Sequence, residues 1–416
     1  MNILLVTDSY PPEIRSASHL MLELAQELSA RGHQVTVITT WPEYNLDQTL
    51  APLAVKEEER EDGIRVLRVK TLPHHNVNYI VRGLAQLLMP WQFLRKLRQY
   101  KIKTDAVVVY SPPLPLALVG SVLKKKGVRY LLNVQDLFPQ NAIDLGILRN
   151  PLQIKLFKAL EKHAYETADV VTVHSEGNKA VLAKEHPQVA DHLEILHNWV
   201  DVGHHTTASP ADKTTDDDFR IKWGITQRYV AVFAGVMGPS QYLDLILDIA
   251  ENMQDQTDLL FLLVGDGKEK PRLQALAQIK HLCNVRFEGF VSREAYPKLL
   301  EVCTIGLVCL SPQNKTPVVP GKILGHMAAG LPIAAFLQAA SDGHRLIRDA
   351  QCGVSGDSSD TSACISAMKH LLANEEKLQS LGKAGQSYAI AHFSKEVCVT
   401  QFEQMLSPKH SELSEH

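Results

Sequence analysis

The chain has 416 residues, 45% of them hydrophobic and 21% charged, with a formal charge of −3 at pH 7. That length exceeds one core and suits two domains of ordinary size, and the charge excludes general nucleic-acid binding while leaving room for a local basic face. No run of about 18 uncharged apolar residues is present, which excludes a membrane-spanning helix, and Met1–Asp8 has no basic start and meets an acid too early for a secretory signal.

In chain order, short Val-, Ile- and Leu-rich runs at 3–6, 34–39, 64–69, 106–110, 130–134, 170–173 and 193–196 predict strands. Helical patterns separate them. The first carries Leu20, Leu24 and Leu28 on one stripe, with Gly32 past its end. Such alternation means α/β domains, each a parallel sheet covered by helices on both faces. Residues 82–103 carry Arg82, Arg95, Lys96, Arg98, Lys101 and Lys103 with no acid, interleaved with Leu84, Leu87, Leu88, Met89, Trp91, Phe93, Leu94 and Leu97. Pro90 is expected to split this stretch into two helices. The composition suits a helix lying on an anionic bilayer; an ordinary solvated helix with an inward apolar stripe fits it too. Lys124, Lys125, Lys126 and Arg129 extend the basic surface.

Residues 203–218 are polar and aperiodic and read as a linker. The alternation then restarts, with strands at 229–234, 259–264, 285–287, 305–309 and 332–336 and helices near 240–252, 268–280, 294–302 and 320–329. Residues 361–406 are expected to be helical. The predicted organisation is a domain at 1–202, a linker at 203–226, a second domain at 227–385, a helix at 386–408 crossing back to the first domain, and a frayed tail at 409–416. The six cysteines, Cys283, Cys303, Cys309, Cys352, Cys364 and Cys398, form no Cys-x-x-Cys pair; four fall in apolar strand- or helix-like settings, which reads as buried free thiols suited to a reducing cytoplasm. The 18 histidines show no metal-ligand spacing, so no metal is expected, and no Gly-x-Ser-x-Gly elbow is present.

Two segments read as anion cradles. In Pro320-Gly321-Lys322, Pro320 suits the first helical position and Gly330 and Pro332 close the helix. Its first amides and the Lys322 ammonium would share one anion; a surface lysine at a helix start is the plain alternative. In the segment from Val6 to Ser18, Pro11-Pro12 stiffens a strand-to-helix turn, Arg15 adds a fork-shaped donor and Ser16 or Ser18 can cap the helix. Gly235–Gly238 and Gly265-Asp266-Gly267 follow apolar strands, where glycine lets backbone approach a ligand, but neither fits Gly-x-Gly-x-x-Gly, so a dinucleotide-dependent dehydrogenase is poorly supported. Asp136 follows a strand and either binds a sugar hydroxyl, accepts a proton or caps a turn.

Taken together, these blocks resemble the family-4 retaining glycosyltransferases of the type with two Rossmann-like domains (GT-B). The likeness rests on Tyr10–Ile14, Arg31–Thr39, Asp136–Pro139, Asn198–Asp201, Val264–Gly267 and Met327–Pro332, in that order. Within that family the nearest look-alikes build bacterial surface polysaccharides by adding an amino-deoxy sugar to a lipid-linked acceptor. The resemblance implies two Rossmann-like domains facing across a cleft, a nucleotide-diphosphate sugar in the second and an acceptor in the first. No metal or other cofactor is implied. Gly238, Gln241, Gly265, Asp266, Phe290, Val291, Pro320, Gly321, Lys322 and Ile323 would bind the donor, with Lys322 on the diphosphate. Arg15, Ser16 and Ser18 would meet the acceptor, and Asp136 would lie beside the transferred sugar. Three departures stand out: Gly325 and Pro317 replace two glutamates, the first of which commonly holds the ribose; Arg15-Ser16-Ala17 replaces a glycine pair; and the usual Arg and Lys after the 229–234 strand give way to Val236, Met237 and Gln241. The expected function is transfer of sugar to a glycan or glycolipid acceptor at the cytoplasmic membrane face. A catalytically silent relative of the same fold and a nucleotide-sugar epimerase are the alternatives.

Overall fold

The computed structural model describes residues 1–407 except 44–45, 47–54, 76, 145, 201, 203–218 and 293–294. The expected linker at 203–218 thus lies outside the described residues. The chain forms two compact units, one of Met1–Asn198 joined by residues from Cys398 onward, the other of Trp199–Val397.

The first unit is built on eight strands: β1 (Asn2–Val6), β2 (Gln34–Thr40), β3 (Glu58–Glu61), β4 (Ile64–Val69), β5 (Ala106–Ser111), β6 (Arg129–Val134), β7 (Val170–Val173) and β8 (Leu193–Ile195). Their order is β3-β4-β2-β1-β5-β6-β7-β8. All pairs are parallel except β3 with β4. Strands such as β5 are buried along their whole length, which is why they read as unbroken apolar runs. One face of the sheet packs Leu4, Val6, Val107, Val109 and Leu132 against Met89, Phe93 and Leu97 of the helix Tyr79–Gln99. That helix is continuous over 21 residues with Pro90 inside it, so the expected break does not occur. Pro90 removes one backbone bond at a cost of about 3 kcal/mol, and burial of Ala85, Met89, Phe93 and Leu97 along one side offsets it.

The second unit carries β9 (Tyr229–Ala234), β10 (Leu259–Val264), β11 (Val285–Glu288), β12 (Ile305–Cys309), β13 (Ile333–Leu337) and β14 (Gly353–Asp357). They form an all-parallel sheet in the order β11-β10-β9-β12-β13-β14. Both sheets therefore contain the 3-2-1-4-5-6 order of doubly wound nucleotide folds. The short helix Phe219–Lys222 falls within the stretch expected as linker, yet Phe219 and Ile225 are buried against Val230 and Val232. The helix Glu375–Phe393 belongs to the second unit, and the Phe393 carbonyl accepts from the Val200 amide at 2.8 Å. The following helix, Lys395–Leu406, buries Cys398, Val399, Phe402 and Leu406. Its Glu403 meets Arg31 at 3.1 Å and His33 at 2.7 Å in the first unit.

Candidate functional site

In the second unit the strand order reverses between β9 and β12, and ligands of such sheets bind beyond the carboxyl ends of the strands at that point. β9 is followed by Gly235, with φ 142°. The loop after β10 presses on the loop after β9: a methyl group at Gly265 would lie 2.1 Å from the Gly235 carbonyl oxygen, and one at Gly267 would lie 2.3 Å from that of Met237. Glycine lets these two segments run backbone to backbone. Asp266 is occupied locally, its Oδ1 accepting from the Gly267 amide at 2.8 Å. Lys270, which sequence reasoning passed over, donates to the carbonyls of Gly265 and Glu288, both at 2.8 Å, and so fastens the ends of β10 and β11. Phe290, just past β11, is 67% exposed.

The helix Gly321–Ala328 follows β12. Pro320 is its N-cap rather than its first helical residue, with φ −63° and ψ 126°. The Ile323 amide returns to the Pro320 carbonyl at 3.0 Å. The amides of Gly321 and Lys322 head the helix, where no helical carbonyl reaches them. The approach to this turn is held from beyond β13: Gln338 Nε2 donates to the Thr316 carbonyl at 2.8 Å and Ser341 Oγ to that of Val318 at 2.6 Å. Ile323 does not face the turn; its side chain is fully buried among Val308, Met327 and Ile333. Lys322 lies with Nζ 4.9 Å from the centre of the Phe233 ring and 3.1 Å from Gln241 Oε1. Burial pulls its pKa down to about 8. One turn on, His326 is fully buried, and burial together with the Lys322 charge lowers it to about 4. The structure thus brings Lys322, Gln241 and the Gly235 loop together, with a cation whose hydrogen-bond partner, among the described residues, is a neutral amide.

In the first unit the reversal lies between β1 and β5. Neither Ser16 nor Ser18 caps the helix Ser16–Ala30: Arg15 is the N-cap, Ser16 is the first helical residue, and Ser18 is buried. Arg15 is committed elsewhere. Its Nη1 lies 3.2 Å from Asp8 Oδ2 and 3.9 Å from Glu13 Oε2, so this turn sets one guanidinium between two carboxylates and is not a bare anion cradle. The loop after β4 brings His74 and His75 to Asp8, each residue offering an atom within 4.8 Å of the other two. Spacing along the chain gave no sign of this, because residues 8 and 74 meet only through the sheet. Burial, then the proximity of His74, lowers His75 to about 3. Tyr110 at the end of β5 is raised by burial and then by the charges of Asp136 and Asp8, which ties those carboxylates into one electrostatic neighbourhood. Solvent reaches Asp136, but the surrounding protein holds its carboxyl above the usual range. Asp136 also lines a groove of about 540 Å³ whose other walls include Leu84, Leu87, Pro113, Leu156 and Phe157, with Arg82 at the edge.

Residues 17–199 match the family described as glycosyl transferase 4-like domain, and residues 228–374 match the family described as glycosyl transferases group 1. WcaI of Escherichia coli (strain K12), a candidate colanic acid biosynthesis glycosyl transferase, is 26% identical over 339 residues, which is 79% of this chain and 82% of WcaI. The GDP-mannose-dependent alpha-mannosyltransferase of Mycobacterium tuberculosis is 24% identical over 306 residues, 72% of this chain and 71% of its own. Among solved structures, Anabaena HepE in complex with UDP-glucose aligns with a TM-score of 0.72 at 16% identity, over 98% of this chain and 99% of the other. Sucrose-phosphate synthase from Thermosynechococcus elongatus aligns with a TM-score of 0.73 at 17% identity, over 97% and 98%. At these identities the structural likeness is one of fold, the two-domain GT-B arrangement.

Proposed function

We propose, from the premise that this chain belongs to the glycosyltransferases made of a glycosyl transferase 4-like half and a group 1 half, that it moves a sugar from a nucleotide diphosphate to a membrane-borne glycan acceptor with retention of anomeric configuration. One observation carries the donor side. Lys322 is a cation in a protein-lined recess at the head of a helix, and among the described residues its hydrogen-bond partner is the neutral Gln241. A diphosphate would supply the missing anion to the ammonium and to the Gly321 and Lys322 amides at once. As the glycosidic bond breaks, charge grows on that diphosphate, and preplaced donors lower the barrier without a metal at the leaving group. The backbone at Gly238, Gly265 and Val291 offers close approach to the phosphates and base, and Phe290 offers a stacking surface. HepE's UDP-glucose and the mycobacterial enzyme's GDP-mannose make UDP- and GDP-sugars the first to try.

The acceptor side is read from the groove beside Asp136. Its walls are mostly apolar, and two of them, Leu84 and Leu87, stand 55% and 37% exposed. A hydrocarbon chain fits those walls, Arg82 suits a phosphate head, and Asp136 would meet the reacting sugar hydroxyl. A second reading, binding without transfer, is favoured by Gly325 standing where a ribose-holding glutamate is usual.

The test is a panel of UDP- and GDP-sugars scored by thermal shift and by product formation on a lipid-linked acceptor. One donor is expected to stabilise the protein and Lys322→Ala to abolish that shift. Stabilisation without product supports the second reading, and no stabilisation by any nucleotide sugar defeats both.

A further inference from the structure

Asp8, His74 and His75 converge at the carboxyl ends of β1 and β4. We infer that these three side chains form a site for one divalent metal ion of the zinc class. Asp8 is 3% exposed; its Oδ2 accepts from Arg15, while Oδ1 is buried without a donor. His74 is 4% exposed, and its Nδ1 faces the Leu72 carbonyl oxygen at 3.3 Å. Thr71 Oγ1, which can accept as well as donate, is the other contact of Nδ1, at 3.5 Å; with the ring proton on Nδ1 the carbonyl is satisfied and Nε2 presents a lone pair. That Nε2 is buried and has no hydrogen-bond partner. A carbonyl on the far nitrogen is the contact that orients metal-binding histidines. The His75 ring lies beside it, the two centres 4.2 Å apart.

Buried acceptors without donors are costly, and converging lone pairs repel one another. A cation removes both penalties. Three ligand atoms within 4.8 Å of one another lie no more than about 2.8 Å from a shared centre. Zinc bonds to imidazole nitrogen and carboxylate oxygen run about 2.0–2.2 Å, so modest side-chain rotations close the site. Two histidines and one carboxylate leave a coordination position open for an oxygen ligand, water or a substrate hydroxyl. Arg15 on the other oxygen limits Asp8 to one metal bond. The site belongs to the first unit and plays no part in holding a leaving diphosphate at Lys322, so it stands or falls independently of the donor reading.

Full-length, tag-free protein stripped with EDTA is titrated with zinc chloride by calorimetry and with cobalt chloride by visible absorption. The expected result is one zinc per chain, a rise in melting temperature on adding zinc, and a cobalt spectrum without thiolate charge-transfer bands. His74→Gln and His75→Gln are each expected to weaken zinc by at least the roughly 10- to 100-fold that loss of even an outer partner causes. A control at the remote His281, His281→Gln, leaves binding unchanged. The cobalt spectrum of the wild-type chain needs no variant, so a variant that fails to fold does not shield the proposal. No zinc-dependent heat or melting shift overturns it, as does zinc binding of equal strength in the two variants.

Discussion

At the scale of the residue, Lys322 offers a quantitative handle. Burial holds its pKa near 8. A docked diphosphate would raise it again, so above about pH 8 the complex binds more protons than the free protein, and donor affinity should weaken as pH rises, by up to about tenfold per unit. Calorimetric titration of UDP across pH 7 to about 9.5 checks this; a flat profile in the wild type, or the same slope in Lys322→Ala, rules out the assignment. Gly325 is the second handle. A β-carbon added there meets nothing within 4 Å, so the position is not closed at its first atom. Gly325→Glu is expected to tighten UDP by roughly 10- to 100-fold, the value of a hydrogen bond to a charged group of about 1.5–3 kcal/mol. No gain would mean the ribose lies elsewhere. Some of this was legible in the sequence and some was not. Lys322 and Gln241 stand 81 positions apart yet were both singled out, and they touch. Asp8, His74 and His75 escaped notice because a site assembled by strand pairing leaves no spacing to read. Serine capping was expected from residue preference, but Arg15, held by two carboxylates, takes the cap position instead.

At the scale of the element, most strands announced themselves as apolar runs because parallel strands are buried on both faces. The two that did not were β3, Glu58–Glu61, an antiparallel edge strand of charged residues, and β14, Gly353–Asp357, an edge strand with two glycines and no apolar run. Neither edge position demands hydrophobicity. The helix Tyr79–Gln99 was misjudged at Pro90 because tertiary packing overrode a local rule. It also carries a second apolar face. Ala85, Met89, Phe93 and Leu97 fill the core, while Leu84, Leu88 and Trp91 point outward and lead into Arg95 on the same side. A helix apolar on both faces needs a second apolar medium, and Arg95 under Trp91, 5.8 Å from the ring centre, suits the headgroup layer of a bilayer. Among the described residues no helix is long and apolar enough to cross a membrane, so contact would be at the surface. Replacing Leu84, Leu88 and Trp91 together by Gln should abolish flotation with anionic liposomes while changing stability little, since all three are exposed. Retained flotation would refute the bilayer reading.

At the scale of the whole molecule, the first unit is completed by a segment about 200 residues downstream of its last strand. Full burial of Val399, Phe402 and Leu406 contributes roughly 1.5–3 kcal/mol for each side chain. A fragment of residues 1–198 should therefore melt well below the corresponding transition of the full chain, and a peptide of residues 395–407 added in trans should restore part of the difference. Identical melting with and without the peptide would show the returning helix to be dispensable. The backbone-to-backbone seam at Gly265 and Gly267 bears on how the gene can change. Every single-base substitution in a glycine codon that alters the residue without ending the chain introduces a β-carbon, and here that atom would strike a carbonyl oxygen. Change at these two codons should therefore carry a structural cost, whereas the codons for Gly321 and Gly325, where an added β-carbon meets nothing within 4 Å, leave descendants of this chain room to diversify the Lys322 end of the domain without first dismantling it.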